Sequence, residues 1–292
     1  MWRAYWELAR LHWWPVGTIL IFWPSVWTLM LGASDWHLTR YELALWTACL
    51  ALGSTLIHGA ACVLNDICDV DFDRQVERTK NRPLVTGQIS MSSAIALLVF
   101  LTGSYMWMLA LISPKAAMYG ILGVFPFHAM YPLMKRWTWL PQVWLGPTMN
   151  WGAWVVWHSF KDHAKGSGMW LYFIGLVSWT IFYDTIYACQ DRKDDAKAGV
   201  KSTALLFGDQ IWPILCCFAL AFVASLTYVG HCNGKGIAFY LISCGGALAH
   251  VAWQLATWNP DDPKDCGDKF KSNGDMGYIV WAGLLLDFWL KG

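Results

Sequence analysis

The chain has 292 residues, of which 57% are hydrophobic and only 14% charged, with a net charge of +1. Soluble globular proteins carry about 25% charged residues, so a soluble domain is excluded. The near-zero net charge gives no reason to expect a nucleic-acid partner or an obligate protein partner.

In chain order, stretches free of Asp, Glu, Lys and Arg run over 13–34, 43–65, 83–114, 116–134, 137–160, 166–183, 210–234 and 236–260. A weaker ninth, 276–290, is interrupted by Asp287. A transmembrane helix needs about 20 mostly apolar residues. A β-barrel would instead show alternating segments of about ten residues. The expectation is therefore an all-α polytopic protein of the lipid bilayer, a single domain over 1–292 with about nine transmembrane helices. The amino-terminal tail and every second loop carry fifteen of the 21 lysines and arginines, which makes that side cytosolic by the positive-inside tendency. Nine cysteines without a CxxC pair and eight histidines without an HxxxH pair argue against a disulfide framework and a zinc site.

The first apolar run is followed by the second, whose end breaks into "LNDICDVDFDRQVERTKNRPL", 64–84. Asp66, Asp69 and Asp73 are spaced i, i+3, i+7 and would stack on one helix face. Four apolar runs later comes "YDTIYACQDRKDDAKAGVKST", 183–203, in which Asp184, Tyr187, Asp191 and Asp195 repeat that spacing. Like charges so stacked repel, and more strongly beside a low-dielectric membrane. Mg²⁺ prefers oxygen ligands and takes one or two carboxylates together with substrate phosphates. Two such stripes around a diphosphate would form a clamp for two or three metal ions. Arg78, Arg82, Lys135, Arg136 and Lys201 are placed to hold phosphate oxygens. Solvated loop faces are the plain alternative. An ion pathway would put its acids near the bilayer midplane instead of at helix ends.

Asn65-Asp66-x-x-Asp69-x-x-x-Asp73, followed by "VERTKNRPLVTGQIS", resembles the first signature of the UbiA superfamily of intramembrane prenyltransferases. Residues 183–209 resemble its second signature in the form found in 4-hydroxybenzoate polyprenyltransferases. "YPLMKRWTWLPQVWLGPTMNWGA", 131–153, is similar to a further stretch of that group, and "KFKSN", 269–273, more weakly so. The resemblance covers about residues 10–275. It implies nine helices around a central cavity, and Mg²⁺-dependent transfer of a prenyl group to an acceptor, usually aromatic. It implies that Asn65, Asp66, Asp69 and Asp73 serve a first metal and diphosphate site and Asp191 and Asp195 a second, and that Asp184 and Tyr187 line the cavity near the reacting carbon.

The start of the first helix departs from that pattern. Hydroxybenzoate enzymes typically place a charged residue just before the proline and glycine, where this chain has Trp13-Trp14. Arg10 either grips an acceptor carboxylate or anchors the helix start. Of the 22 tryptophans, Trp13, Trp14, Trp36, Trp137, Trp139 and Trp258 are expected in an interfacial belt. The principal expectation is a transferase that moves a geranyl, farnesyl or geranylgeranyl group from its diphosphate to a hydroxybenzoic acid. The alternative is a terpene cyclase that ionises the same diphosphate without an acceptor. The start also lacks a long Arg- and Ser-rich lead, which favours the endoplasmic reticulum or a bacterial inner membrane over the mitochondrion.

Overall fold

A computed structural model describes residues 2–160 and 168–291. Lys161 and Lys165, both counted in the charge balance above, lie outside the described residues, as does the side chain of Lys135. Among the described residues every regular element is helical. A short α1 (Trp2–Leu8) and a 3₁₀ turn (Leu11–Trp13) precede α2 (Thr18–Gly32), α3 (Arg40–Asp73) and α4 (Met91–Ile112). Next come α5 (Pro114–Leu122), a wide π turn (Gly123–His128) and α6 (Ala129–Trp137), then α7 (Pro141–Phe160) and α8 (Met169–Ala188). After a 3₁₀ turn (Cys189–Asp191) the short α9 (Arg192–Ala198) and α10 (Thr203–Phe207) lead to α11 (Ile211–Cys232). A second π turn (Phe239–Cys244) opens α12 (Gly245–Thr257), and α13 (Pro263–Lys291) closes the chain.

Helix α3 begins at a reciprocal cap. The Glu42 amide donates to Thr39 Oγ1 at 3.2 Å, and the Thr39 amide donates to Glu42 Oε2 at 2.9 Å. At 34 residues it is about 50 Å long against a hydrocarbon layer of about 30 Å. Its aspartate-bearing end therefore projects beyond the apolar layer. Helix α4 leans on α3 and turns Val99, Phe100, Trp107 and Leu111 outward, as a lipid-facing helix does.

Helix α2 runs through the centre, packed by α3, α7 and α13. In lipid no hydrophobic force drives helices together, so close packing and interhelical hydrogen bonds must do it. Trp23 Nε1 donates to the Gly274 carbonyl at 2.9 Å, and Trp27 Nε1 to the Gly277 carbonyl at 3.2 Å. Trp179 of α8 donates to Asn273 Oδ1 at 2.9 Å. These bonds fasten α13 into the middle of the bundle.

The protein is thus an all-helical integral membrane protein, but three expectations change in detail. Among the described residues, five of the nine apolar runs correspond to helices both long and apolar enough to cross a membrane: 40–73, 91–112, 169–191, 203–232 and 239–257. Helix α2 is shorter, the π turn containing Pro126 interrupts 114–137, and the first half of α13 carries charges such as Asp265, Lys269 and Asp275. Second, the stripe from Asp184 to Asp195 is not one continuous face. Helix α8 ends at Ala188, and the chain tightens to a 3₁₀ turn before α9. Third, Trp36 and Trp258 leave the expected belt: they are buried in the core, while Trp13, Trp14, Trp137 and Trp139 are exposed.

Candidate active site

The end of α3, the loop after it and the break between α8 and α9 meet around a polar cavity of about 330 Å³. Asn65, Asp69 and Asp73 enter from α3, and Asp191 and Asp195 from the other side. Arg78, Arg82 and Arg136 complete the wall. So the residues of the two motifs share one chamber, among them Arg78 and Asp191, 113 positions apart.

Each acid with a described ion pair meets an arginine. Arg78 grips Asp191 with two nitrogens, Nη2 to Oδ2 at 2.7 Å and Nε to Oδ1 at 3.3 Å. Arg136 Nη2 donates to the Cys68 carbonyl at 2.6 Å and to Asp69 Oδ1 at 3.2 Å. Arg82 Nη1 bonds Asp73 Oδ2 and lies 3.0 Å from Asp66 Oδ1. Burial works against the Arg78 charge, but Tyr187 and Asp191 outweigh it and raise its pKa. The guanidinium is permanently charged. The arginines thus offset the repulsion of the acid stripe.

Asp66 differs from the other acids and from the expectation for it. It is 1% exposed and lines no part of the polar cavity. Arg10 Nη2 donates to both its oxygens, at 2.7 and 3.0 Å, and Arg82 takes a further contact. With its oxygens turned to two arginines, Asp66 sits as an ion-pair anchor behind the cavity wall. Arg10 is correspondingly engaged through Nη2 by Asp66. Its backbone is left-handed, with φ 58°, a conformation that costs a non-glycine residue free energy. The same guanidinium donates from Nη1 to the carbonyls of Glu7 and Leu8, at 3.0 and 3.3 Å, so the strained turn is tied down where Asp66 needs it.

Other expected residues separate. Lys201 lies 5.9 Å from the Trp139 ring centroid and is not part of the cavity wall. Tyr187 packs on Phe270 at 4.3 Å between ring centroids, with the Arg78 guanidinium 5.8 Å from its ring, and it lines an adjoining chamber together with Arg10. Asp184, one turn earlier on α8, is half-buried and lines neither the polar cavity nor that chamber. Phe270 had no sign in the sequence beyond its place inside the "KFKSN" stretch.

Asn65 and four carboxylates offer only hard oxygen donors, the set that suits Mg²⁺. No three His, Cys, Asp or Glu side chains gather into a metal cage among the described residues. The oxygens are spread over two walls, which fits a cation that completes its shell with phosphate oxygens and water.

An apolar cleft runs down the bundle beside α3, from Ile57 to Trp46. Ile21 and Leu29 of α2, Met108 of α4 and Trp151 of α7 line it. Trp46 and Phe160 close its far end edge to face, 5.1 Å apart. Trp46 lies about 28 Å along α3 from Asn65. The free volume is about 60 Å³, less than the roughly 150 Å³ cavity that takes one benzene, so flexible side chains such as Met108 must move to admit a chain.

The sequence model of the UbiA prenyltransferase family matches residues 21–278. The UbiA prenyltransferase claS of Ampulloclitocybe clavipes is 44% identical over 94% of this chain and 88% of its own length. A 4-hydroxybenzoate polyprenyltransferase, named as mitochondrial, from Schizosaccharomyces pombe is 37% identical over 99% of this chain and 81% of its own. Among solved structures, the apo UbiA homolog of Aeropyrum pernix K1 superposes with a TM-score of 0.76 at 23% identity, covering 92% of this chain and 98% of that one. A UbiA homolog of Archaeoglobus fulgidus bound to GPP and Mg²⁺ superposes with a TM-score of 0.69 at 17% identity, covering 97% and 99%. The mitochondrial name lends no support to the endoplasmic-reticulum or bacterial membrane expected from the sequence.

Proposed function

Because the chain belongs to the UbiA prenyltransferase family, we propose that it transfers a short prenyl group from its diphosphate to an aromatic acceptor such as a hydroxybenzoic acid, with Mg²⁺. The observation that carries this reading is the polar cavity in which Asn65, Asp69, Asp73, Asp191 and Asp195 meet three arginines, with an apolar cleft farther back along the same helix α3. Asp69, Asp73, Asp191 and Asp195 are assigned to hold the metal, with Asn65 beside them. Mg²⁺ bound there would neutralise the diphosphate and ease its departure. Arg78, Arg82 and Arg136 are held in place by the acids they pair with, and they exchange those partners for phosphate oxygens. The prenyl tail enters the cleft beside α3. The prenyl C1–O bond breaks toward diphosphate, the acceptor ring carbon bonds C1, and the ring loses its proton.

The relatives that carry a 4-hydroxybenzoate name support the aromatic acceptor. The test is mass spectrometry of purified protein with Mg²⁺ and geranyl, farnesyl or geranylgeranyl diphosphate, with and without hydroxybenzoic acids. A prenylated phenol that forms only with the acceptor is the expected product. A cyclic hydrocarbon or terpene alcohol formed without it would establish the cyclase instead.

A further inference from the structure

A second chamber of about 760 Å³ lies between the turn around residues 10–17 and the first turns of α13. It shares Arg78 and Arg82 with the polar cavity, so the two are contiguous. Its size falls within the range of small-molecule sites. Gly17 brings the turn against α3: with φ +79°, a Cβ there would meet His58 Nε2 at 2.5 Å.

The charge on its wall is one-sided. Arg10, Arg78, Arg82, Lys264 and Lys271 face the chamber, with one carboxylate, Asp268. The acids that pair with the arginines, Asp66, Asp73 and Asp191, are not part of this wall. Lys271 meets Asp268 at 3.3 Å, but the side chains are 60% and 55% exposed, and such pairs contribute little. Between the lysines and Arg78 lie the ring faces of Phe270 and Tyr187. A site with cations at one end and ring faces leading to the diphosphate arginines fits a planar anion that carries no metal.

We propose that this chamber binds the acceptor as an aromatic carboxylate, held by Lys264 and Lys271 with its ring against Phe270 and Tyr187. The inference rests on the transferase reading above. It makes the two lysines specificity-determining residues: they select an acidic acceptor over a neutral one.

The experiment compares 4-hydroxybenzoate with its methyl ester as acceptors for the full-length protein in detergent, with donor fixed. Two variants carry the test, Lys264→Met combined with Lys271→Met, and Phe270→Leu. The double methionine variant is expected to raise KM for the acid at least tenfold while moving KM for the ester less than twofold. Phe270→Leu is expected to raise both. Lys271→Arg, which keeps the charge, should stay within threefold of wild type for the acid. An acid KM that does not change in the double variant, or acid and ester KM rising together, overturns the proposal. A wild-type enzyme that prenylates neither acceptor overturns it together with the transferase reading, whereas normal prenylation with unchanged acid selectivity overturns the chamber assignment alone.

Discussion

Asp66→Asn separates the anchoring of the site from its chemistry. Asp66 is 1% exposed, and both Arg10 and Arg82, whose side chains are 18% exposed, bear on its carboxylate. Removing one partner of a buried ion pair leaves the other charge uncompensated, at a cost of about 3–5 kcal/mol. Arg82 keeps Asp73 as a second partner, so the stranded charge is that of Arg10 and the lower part of that range applies. Asp69→Asn is the control. Its partner Arg136 is 39% exposed, and the pair is worth about 0–1 kcal/mol. The assay heats detergent-purified protein and follows the monodisperse fraction by size-exclusion chromatography. Asp66→Asn should lose its folded fraction at a distinctly lower temperature than wild type, while Asp69→Asn should track wild type. Adding Arg10→Met to Asp66→Asn should recover part of the loss, because it removes the stranded charge. An Asp66→Asn protein as heat-resistant as wild type yet unable to release diphosphate would refute this reasoning and return Asp66 to the metal.

Asp191→Asn and Asp195→Asn should fold normally but release diphosphate at least a hundredfold more slowly, read by phosphate-coupled kinetics after pyrophosphatase. Wild-type rates in both would remove the second wall from the metal site. Trp46→Ala should open the far end of the apolar cleft and shift the preference among geranyl, farnesyl and geranylgeranyl diphosphates toward the longest, measured by competition with equimolar donors. An unchanged preference would mean that the tail does not reach Trp46. Lys235 lies at the opposite end of the chain's helices, and burial pushes its ammonium down to about 8 against the pull of Asp287. The folded state thus sheds a proton that the unfolded state keeps up to about pH 10.4, and stability rises with pH between those values. Lys235→Met should flatten that slope and raise stability below pH 8 by up to roughly 3 kcal/mol, seen as a thermal shift across pH 7 to 10. An unaltered slope would show that the ammonium is not desolvated.

Membrane class and the two acid motifs were legible because they depend on chain-local quantities: length of apolar runs, and helical spacing of carboxylates. The cap of Thr39 and Glu42 that starts α3 emerged only from the structure. What the spacing could not convey was direction. Asp66, Asp69 and Asp73 share a helix face in projection, yet Asp66 turns toward Arg10, 56 positions earlier, and away from the cavity. Arg10 was legible as a charge but not as a partner, since its left-handed backbone sets where the guanidinium points. The stripe over 184–195 was overread for a similar reason. A helical spacing persists in the sequence even where the backbone tightens after Ala188 and the residues no longer share one axis. Lys201 counted as a basic neighbour of the acids, and the fold spends it on Trp139.

The tryptophan bonds between α2 and α13 join residues 251 and 250 positions apart. Synthesis proceeds at about 5–20 residues per second, so α2 waits roughly 10–50 s after it leaves the ribosome for the carbonyls that Trp23 and Trp27 require. During that interval two indole N–H groups at the heart of the bundle stand without their final acceptors. The earliest-made central helix is thus completed by the last-made one, and the bundle closes like a ring rather than growing like a stack. A ribosome that stalls before α13 would leave a hole at the centre, not a missing edge. Quality control that senses unsatisfied polar groups in the bilayer would read such a chain as unfinished, however complete its outer helices.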